Sequence, residues 1–573
     1  MKGITSIELG KRKGLLAAFV LTAALAAVLT MATALSVTDF LQLIFPTSEG
    51  TVSLPSNANP VMRLVDKVYV ALAAQGTQRA LLLYALLLFL LYGLKNIFSY
   101  GSAVVFARIK VGTLRSLRDG LHRSVLHQDF ARWSSQAQGQ WLSRMSNDVA
   151  EYESNVLDSI QMIVSASLTM IIYVAMLVYL NWRLTLMVVV VMAVGTLLLS
   201  ASRRLKRESR KLQALNGELM TTTQETLDSL KEIKAATAID HVNDRQRSQN
   251  ALFTRRRIAI YRRIYAASPL SDFVGNVLVA AILIVGAMHT LDVAQGQADM
   301  PAAMFVSYIM IYVLLLTPIK DFSNAIAQLK KGRGVEERLD DALAVQMPDN
   351  ILPSEISNLS QIESIRFDDI TFSYGKGTVF DRFSYDIPMH CHTAITGESG
   401  SGKTTLGRML VGLLQPQGGR ILVNGTETTA AMRAGTIAYI PQEPMLFNDT
   451  IEANIRFGRS WATEEDIAQA ARMAQVEPIL ANHPDGMQTR IGDGGSLLSG
   501  GERQRISIAR ALVGNPEVVV MDEATAALDA ATEQRLTDSL RQTLSGRTLL
   551  IIAHRASTIA GCDRVLSINN RQN

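Results

Sequence analysis

The first 320 residues alternate between long apolar runs and polar, basic connections. The six apolar runs are Leu15–Ser36, Ala80–Phe106, Met162–Leu180, Leu184–Ala201, Phe273–Thr290 and Ala302–Thr317. A hydrocarbon core of about 30 Å takes about 20 apolar residues of helix to cross. Lipid offers no partner to an unpaired backbone group, which favours helices over open strands. The pattern therefore predicts an all-α membrane domain with six spanning helices.

The basic residues predict how these spans are oriented. Lys11, Arg12 and Lys13 precede the first run, and the connection 202–267 is rich in Lys and Arg. The connections predicted to lie outside are poor in basic residues, as in Leu291–Pro301. Because basic connections stay on the cytoplasmic side, we expect a cytoplasmic N-terminus and, after six spans, a cytoplasmic C-terminal half.

The connections themselves also carry helical patterns. The second-to-third and fourth-to-fifth connections are the longest on the cytoplasmic side, and both have helical spacing, as in Arg115–Arg123. In the first outer connection, Phe45–Arg79, apolar positions recur through Pro60–Ala74. That spacing predicts an amphipathic helix on the outer membrane surface.

The pattern changes near residue 345. A charged helical segment is broken by Met347–Asn350, and short apolar runs bounded by glycine and proline follow. We expect a membrane domain over 1–344 and a separate α/β domain over 345–573.

Composition narrows the class of protein. Hydrophobic residues make up 48% of the chain and charged residues only 19%, which is less charge than a soluble protein of this size normally carries. The net charge is +5, and the basic residues that produce it lie beside the apolar spans rather than among aromatic stacking groups. It therefore indicates membrane topology, with lipid as a partner, and not nucleic-acid binding.

A glycine-rich segment, which we interpret as a phosphate-binding loop, follows the strand-like run Thr393–Thr396 in the second domain. Residues 397–404 read GESGSGKT, and the glycines allow several backbone N–H groups to face one point at a helix N-terminus. Lys403 is expected to reach the β- and γ-phosphates and Thr404 to bind Mg²⁺. The predicted nucleotide-binding residues here are Gly397, Glu398, Ser399, Gly400, Ser401, Gly402, Lys403, Thr404 and Thr405.

A second nucleotide-site element is an apolar run that ends in two carboxylates. Val518–Met521 is followed by Asp522 and Glu523, the arrangement of a buried strand with acids at its C-terminal edge. We expect Asp522 to hold Mg²⁺ through water and Glu523 to polarise the attacking water. The two elements together predict ATP and Mg²⁺ as cofactors.

Residues 498–505 read LSGGERQR, which resembles the signature of the ABC ATPase family. That resemblance implies that the signature of one copy closes over the nucleotide of another, and that each further motif has a role. Tyr374 would stack on adenine, Gln442 would sense Mg²⁺ and the γ-phosphate, Asp529 would lie in the D-loop and His554 would contact the γ-phosphate. The signature residues implied to touch nucleotide are Ser499, Gly500, Gly501 and Glu502.

Three features depart from the family pattern. Glu502 stands where the family most often has Gln, and Asp493 stands where a related segment usually has Glu. The chain also stops at Asn573, soon after the strand Arg564–Ile568, which suggests a short natural end or a trimmed chain. None of the three removes a catalytic group.

Six spans followed by one ATPase domain resemble an exporter half-transporter. In such exporters the membrane helices continue into the cytoplasm and end in short coupling helices, which 128–148 and 225–234 resemble. The resemblance implies a dimer. Heterodimeric exporters often have one spoiled site, so an intact Glu523 favours a homodimer; a heterodimer with an equally intact partner remains the alternative. A soluble ABC ATPase would lack the spans, and an importer would usually place its permease on another chain. A regulated channel on this scaffold remains an alternative.

Two lysines in the spans are candidate substrate residues. Lys95 lies about 22 Å along its span from Ala80, and Lys320 about 27 Å from Ala302, which puts both near the inner-leaflet headgroups. Charges inside spans are usually functional, although snorkelling or pairing of Lys320 with Asp321 are alternatives.

The segments around these lysines, LKNIFSY and TPIKDFSNAIAQ, resemble the bacterial lipid A–core flippase group. This implies an amphipathic, lipid-like substrate and a bacterial inner membrane. Export of peptides, siderophores or hydrophobic drugs remains the alternative.

Overall fold

The computed structural model describes most of the chain. The described residues are 3–44, 77–135, 138–186, 220–291, 302–344, 361–374, 377–398, 400–434, 436–523, 539–542, 544–553 and 555–568. The chain forms two compact units, one of Met1–Leu121 with Ser143–Leu343 and the other of His122–Leu142 with Ala344–Asn573. A segment of the first long connection therefore belongs to the same unit as the C-terminal half.

The first unit is helical. Its α-helices are α1 (Ile4–Gly10), α2 (Lys13–Ile44), α3 (Thr77–Leu126), α6 (Val149–Tyr152), α7 (Asp158–Leu180), α8 (Leu230–Ala235), α9 (Ile239–Leu291) and α10 (Ala302–Leu343), and the short α4 (Phe130–Ser135) and α5 (Gln138–Ser143) fall in or beside the other unit. Two π-helical turns, Arg144–Asp148 and Glu153–Leu157, flank α6.

Four described helices are long and apolar enough to cross a membrane: Lys13–Ser36, Leu81–Leu126, Gly139–Leu180 and Phe305–Leu343. They coincide with the first, second, third and sixth predicted spans. The fifth predicted span lies within α9. The fourth span lies mostly outside the described residues, and the predicted surface helix Pro60–Ala74 lies wholly outside them.

The predicted helical connections are confirmed where they are described. Helix α3 runs on from Phe106 to Leu126, and α9 begins at Ile239, well before its apolar run. Pro318 lies inside α10, which continues to Leu343. The membrane helices are thus longer than a bilayer requires.

The core of this unit forms where α2, α7 and α10 meet. Tyr308 and Tyr312 of α10 are fully buried with Leu177 of α7 and Met31 of α2. Farther along α10, Gly332 lies against the π-helical turn that contains Val156. A Cβ atom at Gly332 would come within 2.6 Å of Val156 Cγ2, so this helix crossing depends on the missing side chain.

In the described residues of the second unit, the strands form two sheets. An antiparallel sheet has the order β2-β1-β4-β5 and a parallel sheet has the order β6-β7-β8-β3-β9. The strands are β1 (Ile365–Ser373), β2 (Thr378–Ile387), β3 (His392–Thr396), β4 (Gly418–Val423), β5 (Thr426–Glu427), β6 (Ala438–Ile440), β7 (Val518–Asp522), β8 (Thr548–Ile552) and β9 (Arg564–Ser567). The helices are α11 (Lys403–Val411), α12 (Ala430–Ala434), α13 (Ile451–Arg456), α14 (Glu464–Met473), α15 (Glu477–Ala481), α16 (Gly500–Leu512) and α17 (Ala556–Ala560).

The apolar sequences of β7 and β8 are typical of the central strands of a parallel sheet. Every residue of β7 (VVVMD) and β8 (TLLII) is buried, as expected for strands covered on both faces. Parallel strands end at the same edge, so the segments that follow β3, β6 and β7 emerge together. That edge carries the phosphate-binding loop, Gln442 and the paired carboxylates.

The segment His122–Leu142 contributes to the same unit through α4. Phe130 and Ala131 pack against the apolar cluster that includes Leu410 and Leu414. The guanidinium of Arg408, on α11, lies 5.6 Å from the centre of the Phe130 ring, so a residue of the first long connection lies against the helix that begins at the phosphate-binding loop.

Candidate functional site

The phosphate-binding loop joins β3 to α11 through three glycines with positive φ. The φ angles are +150° at Gly397, +82° at Gly400 and +99° at Gly402. A Cβ atom at Gly402 would come within 2.7 Å of Val379 Cγ1. Glycine is therefore required at Gly402 both for the backbone angle and for the close approach of β2.

Lys403 begins α11 and is only 6% exposed. Its Nζ donates to the carbonyl oxygens of Gly397 (2.9 Å) and Glu398 (2.8 Å), so the ammonium curls back over the loop. The hydroxyl of Ser401 is buried in the same loop and has no hydrogen-bond partner in the part of the chain that the structure describes. A cationic group and backbone N–H groups at a helix start suit the phosphates of a nucleotide.

Asp522 ends β7 and is almost fully buried, at 3% exposure. Thr404 Oγ1 donates to its Oδ1 at 3.2 Å, and Tyr439 OH donates to its Oδ2 at 2.9 Å. Burial and the charge of Asp522 raise the pKa of Tyr439 to about 12, so the phenol stays protonated. A hydroxyl and a carboxylate oxygen this close are the hard ligands that Mg²⁺ prefers.

Glu523 follows directly and is bound by the predicted Gln442. The Gln442 amide donates to Glu523 Oε2 at 2.9 Å, and the Glu523 N–H donates to Ile552 O at 3.2 Å. Glu523 has φ +47°, which is uncommon for a residue other than glycine. The turn after β7 thereby directs this carboxylate out of the sheet edge.

Tyr374 follows β1, beside the start of α11. Its hydroxyl lies 3.3 Å from Thr405 Oγ1, and its ring packs edge-on against Phe372 with centroids 4.9 Å apart. The residue is 47% exposed, so a surface of the ring can take a flat apolar group such as a base.

The signature residues open α16. Ser499 caps the helix by accepting from the Glu502 N–H, and Glu502 Oε2 accepts from the Ser499 N–H at 2.8 Å. These bonds outweigh the desolvation of Glu502 and lower the pKa of its carboxyl. The capping box explains why an acid is accommodated at 502.

Among the described residues, no hydrogen bond joins Ser499, Gly500, Gly501 or Glu502 to the phosphate-binding loop. The buried Gln504, one turn further along α16, donates to Pro441 O at 3.3 Å. The signature helix is thus tied to the segment that carries Gln442.

Other predicted residues are less well placed. Ser399, Asp529 and His554 lie outside the described residues. Lys95 is half-buried on α3, with its ammonium 5.9 Å from the centre of the Tyr92 ring. Lys320 is exposed on α10.

Two residues next to the site, Tyr439 and Arg408, were not predicted from the sequence. Tyr439 binds Asp522, and Arg408 lies close enough to lower the pKa of the Tyr439 hydroxyl against burial and Asp522. The signal that could have found Tyr439 was its place near the end of a strand-like run, directly before the segment that contains Gln442.

Comparison with known proteins gives two family matches. The family described as ABC transporter transmembrane region matches residues 16–319, and the family described as ABC transporter matches residues 380–526. The second match includes the phosphate-binding loop, Gln442, the signature and Glu523. Tyr374, Asp529 and His554 fall outside it.

Curated relatives are similar over most of their length. An ATP-dependent lipid A-core flippase of Nitrosococcus oceani is 31% identical over 85% of this chain and 81% of its own length. One of Syntrophus aciditrophicus is 29% identical over 84% and 80%. A mitochondrial potassium channel ATP-binding subunit of Mus musculus is 31% identical over 85% and 68%.

Among solved structures, a bacterial Atm1-family ABC exporter with ATP bound has a similar fold. The TM-score is 0.75 with 22% identity, covering 96% of this chain and 94% of that one. The predicted fold class, a helical membrane domain followed by an α/β ATPase domain, is confirmed.

Proposed function

This chain belongs to the ABC transporter family, and on that premise we propose that two copies form a pump that exports an amphipathic, lipid-like substrate. The chain is an integral membrane protein that binds and hydrolyses ATP. Within it we assign 1–344 to the membrane domain and 345–573 to the ATPase domain.

The observation that carries the proposal is the convergence of catalytic side chains at one sheet edge. Lys403 and the loop N–H groups bind the phosphates, and Gln442 holds Glu523 at 2.9 Å. Glu523 accepts a proton from the attacking water, which makes that water a better nucleophile. Tyr374 supports the base of the nucleotide.

Thr404 and Asp522 fit Mg²⁺, because their oxygens lie 3.2 Å apart at the buried end of β7. When bound there, Mg²⁺ neutralises charge that develops on the phosphates. The roles of Asp529 in the D-loop and of His554 at the γ-phosphate belong to the same proposal.

The arrangement of the signature supports dimerisation. Ser499 and the glycines after it begin a helix N-terminus that suits phosphate, yet no hydrogen bond among the described residues joins them to their own loop. A second copy supplies the missing half of each site. Since Glu523 is intact, a homodimer is the simplest assembly.

The substrate class is supported by two observations. Several similar relatives are named lipid A-core flippases, and the two lysines Lys95 and Lys320 lie on membrane helices near the predicted inner-leaflet level. Two copies of each would offer four cations to an anionic headgroup, and apolar helix faces would accommodate acyl chains. The bacterial relatives and the basic cytoplasmic connections support a bacterial inner membrane with the ATPase domain inside.

The ATPase activity of the purified protein in lipid nanodiscs tests the substrate class. Lipopolysaccharide, other lipids, peptides and neutral drugs are added separately at matched concentrations. We expect phosphorylated lipids to stimulate turnover. Stimulation by peptides or neutral drugs alone would instead support the alternative export function.

A channel-regulating role is a second candidate, because a relative of similar identity is named as a mitochondrial potassium channel ATP-binding subunit. Planar bilayer recordings separate the two. Potassium conductance in the presence of ATP, with no substrate-stimulated turnover, would favour the channel role.

A further inference from the structure

The carboxylate of Asp522 is held from two sides. Thr404 donates to Oδ1, and Tyr439 donates to Oδ2. Tyr439 lies on β6, whose backbone pairs with β7 so that Ile440 is opposite Met521. The phenol therefore approaches from the neighbouring strand and fixes the oxygen that Thr404 does not touch.

We propose that Tyr439 is a positioning residue for Asp522, because its phenol holds the carboxylate oxygen that Thr404 does not touch. The inference rests on the proposed magnesium role of Asp522 and goes beyond it.

The chemistry favours positioning over simple packing. A phenylalanine would fill the same apolar space, whereas a phenol that is half-buried must find a partner for its hydroxyl. Here that partner is the Asp522 carboxylate, which would hold Mg²⁺. Groups that hydrogen-bond a metal-ligating side chain typically change metal affinity 10- to 100-fold when removed, by rule of thumb.

Tyr439→Phe tests the proposal, because it removes only the hydroxyl. Full-length protein carrying Glu523→Gln, which stops turnover, is placed in nanodiscs and titrated with a fluorescent ATP analogue, with Mg²⁺ and with EDTA. We expect Tyr439→Phe to reduce the gain in affinity that Mg²⁺ provides by roughly tenfold, with affinity in EDTA unchanged.

Tyr385→Phe is the matched control. Tyr385 is a half-buried tyrosine of β2, in the other sheet, and its removal should leave the Mg²⁺ gain intact. An equal loss with Mg²⁺ and EDTA, or no loss, would overturn the positioning role alone. Absence of any Mg²⁺ gain in the Glu523→Gln parent would overturn the proposed magnesium site and this inference with it.

Discussion

Gln442 and Glu523 are bound directly to each other, through a 2.9 Å hydrogen bond from the amide to the carboxylate. The two residues lie 81 positions apart in sequence and meet because β6 and β7 are neighbours in the sheet. Glu523 is therefore held in one orientation by the same side chain that is proposed to sense the γ-phosphate.

Replacing Glu523 by Gln separates binding from turnover. The new amide oxygen can still accept from Gln442, while the group that takes the proton is gone. We expect ATP hydrolysis to fall by about 10² or more and ATP affinity to stay within about threefold of the starting protein. Phosphate release and equilibrium ATP binding, measured on the same preparation, check both parts.

The control for that change is Glu477→Gln, an exposed glutamate at the start of α15. It alters the same functional group away from the site and should leave turnover unchanged. Hydrolysis by Glu523→Gln at the rate of the unsubstituted protein would show that another group activates the water.

The capping box at the signature should be sensitive to acid. Because the pKa of Glu502 is lowered in the folded protein, its contribution to stability is present above the unfolded value of about 4.3. It is lost as pH falls through the folded pKa. We expect Glu502→Ala to weaken the first turn of α16 by about 1 kcal/mol at pH 7, seen as faster hydrogen exchange there.

Glu502→Gln provides the comparison, since its amide oxygen can accept the same bonds without a titratable proton. It should protect the turn at pH 7 nearly as well as Glu502 and lose little of that protection at pH 3.5. If all three proteins exchange equally at pH 7, the side chain at 502 does not cap the helix.

Two glycines of α10 should respond oppositely to the same substitution. A Cβ at Gly332 would meet Val156 Cγ2 at 2.6 Å, whereas nothing lies within 4 Å of a Cβ at Gly334. Gly332→Ala should destabilise by about 1–3 kcal/mol through overpacking. Gly334→Ala should stabilise slightly, by about 0.5 kcal/mol. Thermal unfolding of full-length protein in detergent checks the pair, and equal effects would refute the close helix crossing.

The nucleotide site could be predicted from sequence where its residues are contiguous. Lys403 and Thr404 follow a glycine loop, and Asp522 and Glu523 end an apolar run, so each role is encoded locally. For Tyr439 the sequence offers only its place near the end of a strand-like run before Gln442. Its hydrogen bond to Asp522 depends on strand order, which places it beside a residue 83 positions away. From the sequence, Glu502 is only a departure from the family pattern. The structure explains the acid, because its carboxylate accepts from the Ser499 N–H at the start of α16.

The membrane domain was predictable in outline but not in detail. Hydropathy and length are sufficient to predict that α2, α3, α7 and α10 are apolar enough to cross a membrane. The rotation of each helix about its axis is set by packing against its neighbours. The sequence pattern therefore does not predict which surroundings the side chains of Lys95 and Lys320 face.

Charge reversal at Lys95 tests the proposed headgroup contact. Lys95→Glu should weaken binding of phosphorylated lipids at least tenfold, because an anion would meet a carboxylate, and should change binding of neutral drugs little. Arg79→Glu, at the start of the same helix α3, is the matched charge reversal. Equal losses for both substrate classes would indicate a structural lysine.

The central claim is that ATP hydrolysis at this site moves an amphipathic lipid across the membrane. The direct measurement uses sealed proteoliposomes with the ATPase domain outside and a fluorescent phosphorylated lipid, whose outer-leaflet fraction is destroyed by a membrane-impermeant reductant. With ATP and Mg²⁺, the unsubstituted protein should raise the protected fraction with time, and Glu523→Gln should leave it at the level seen without ATP. Equal protection in the two proteins, while only the unsubstituted one hydrolyses ATP, would contradict lipid export.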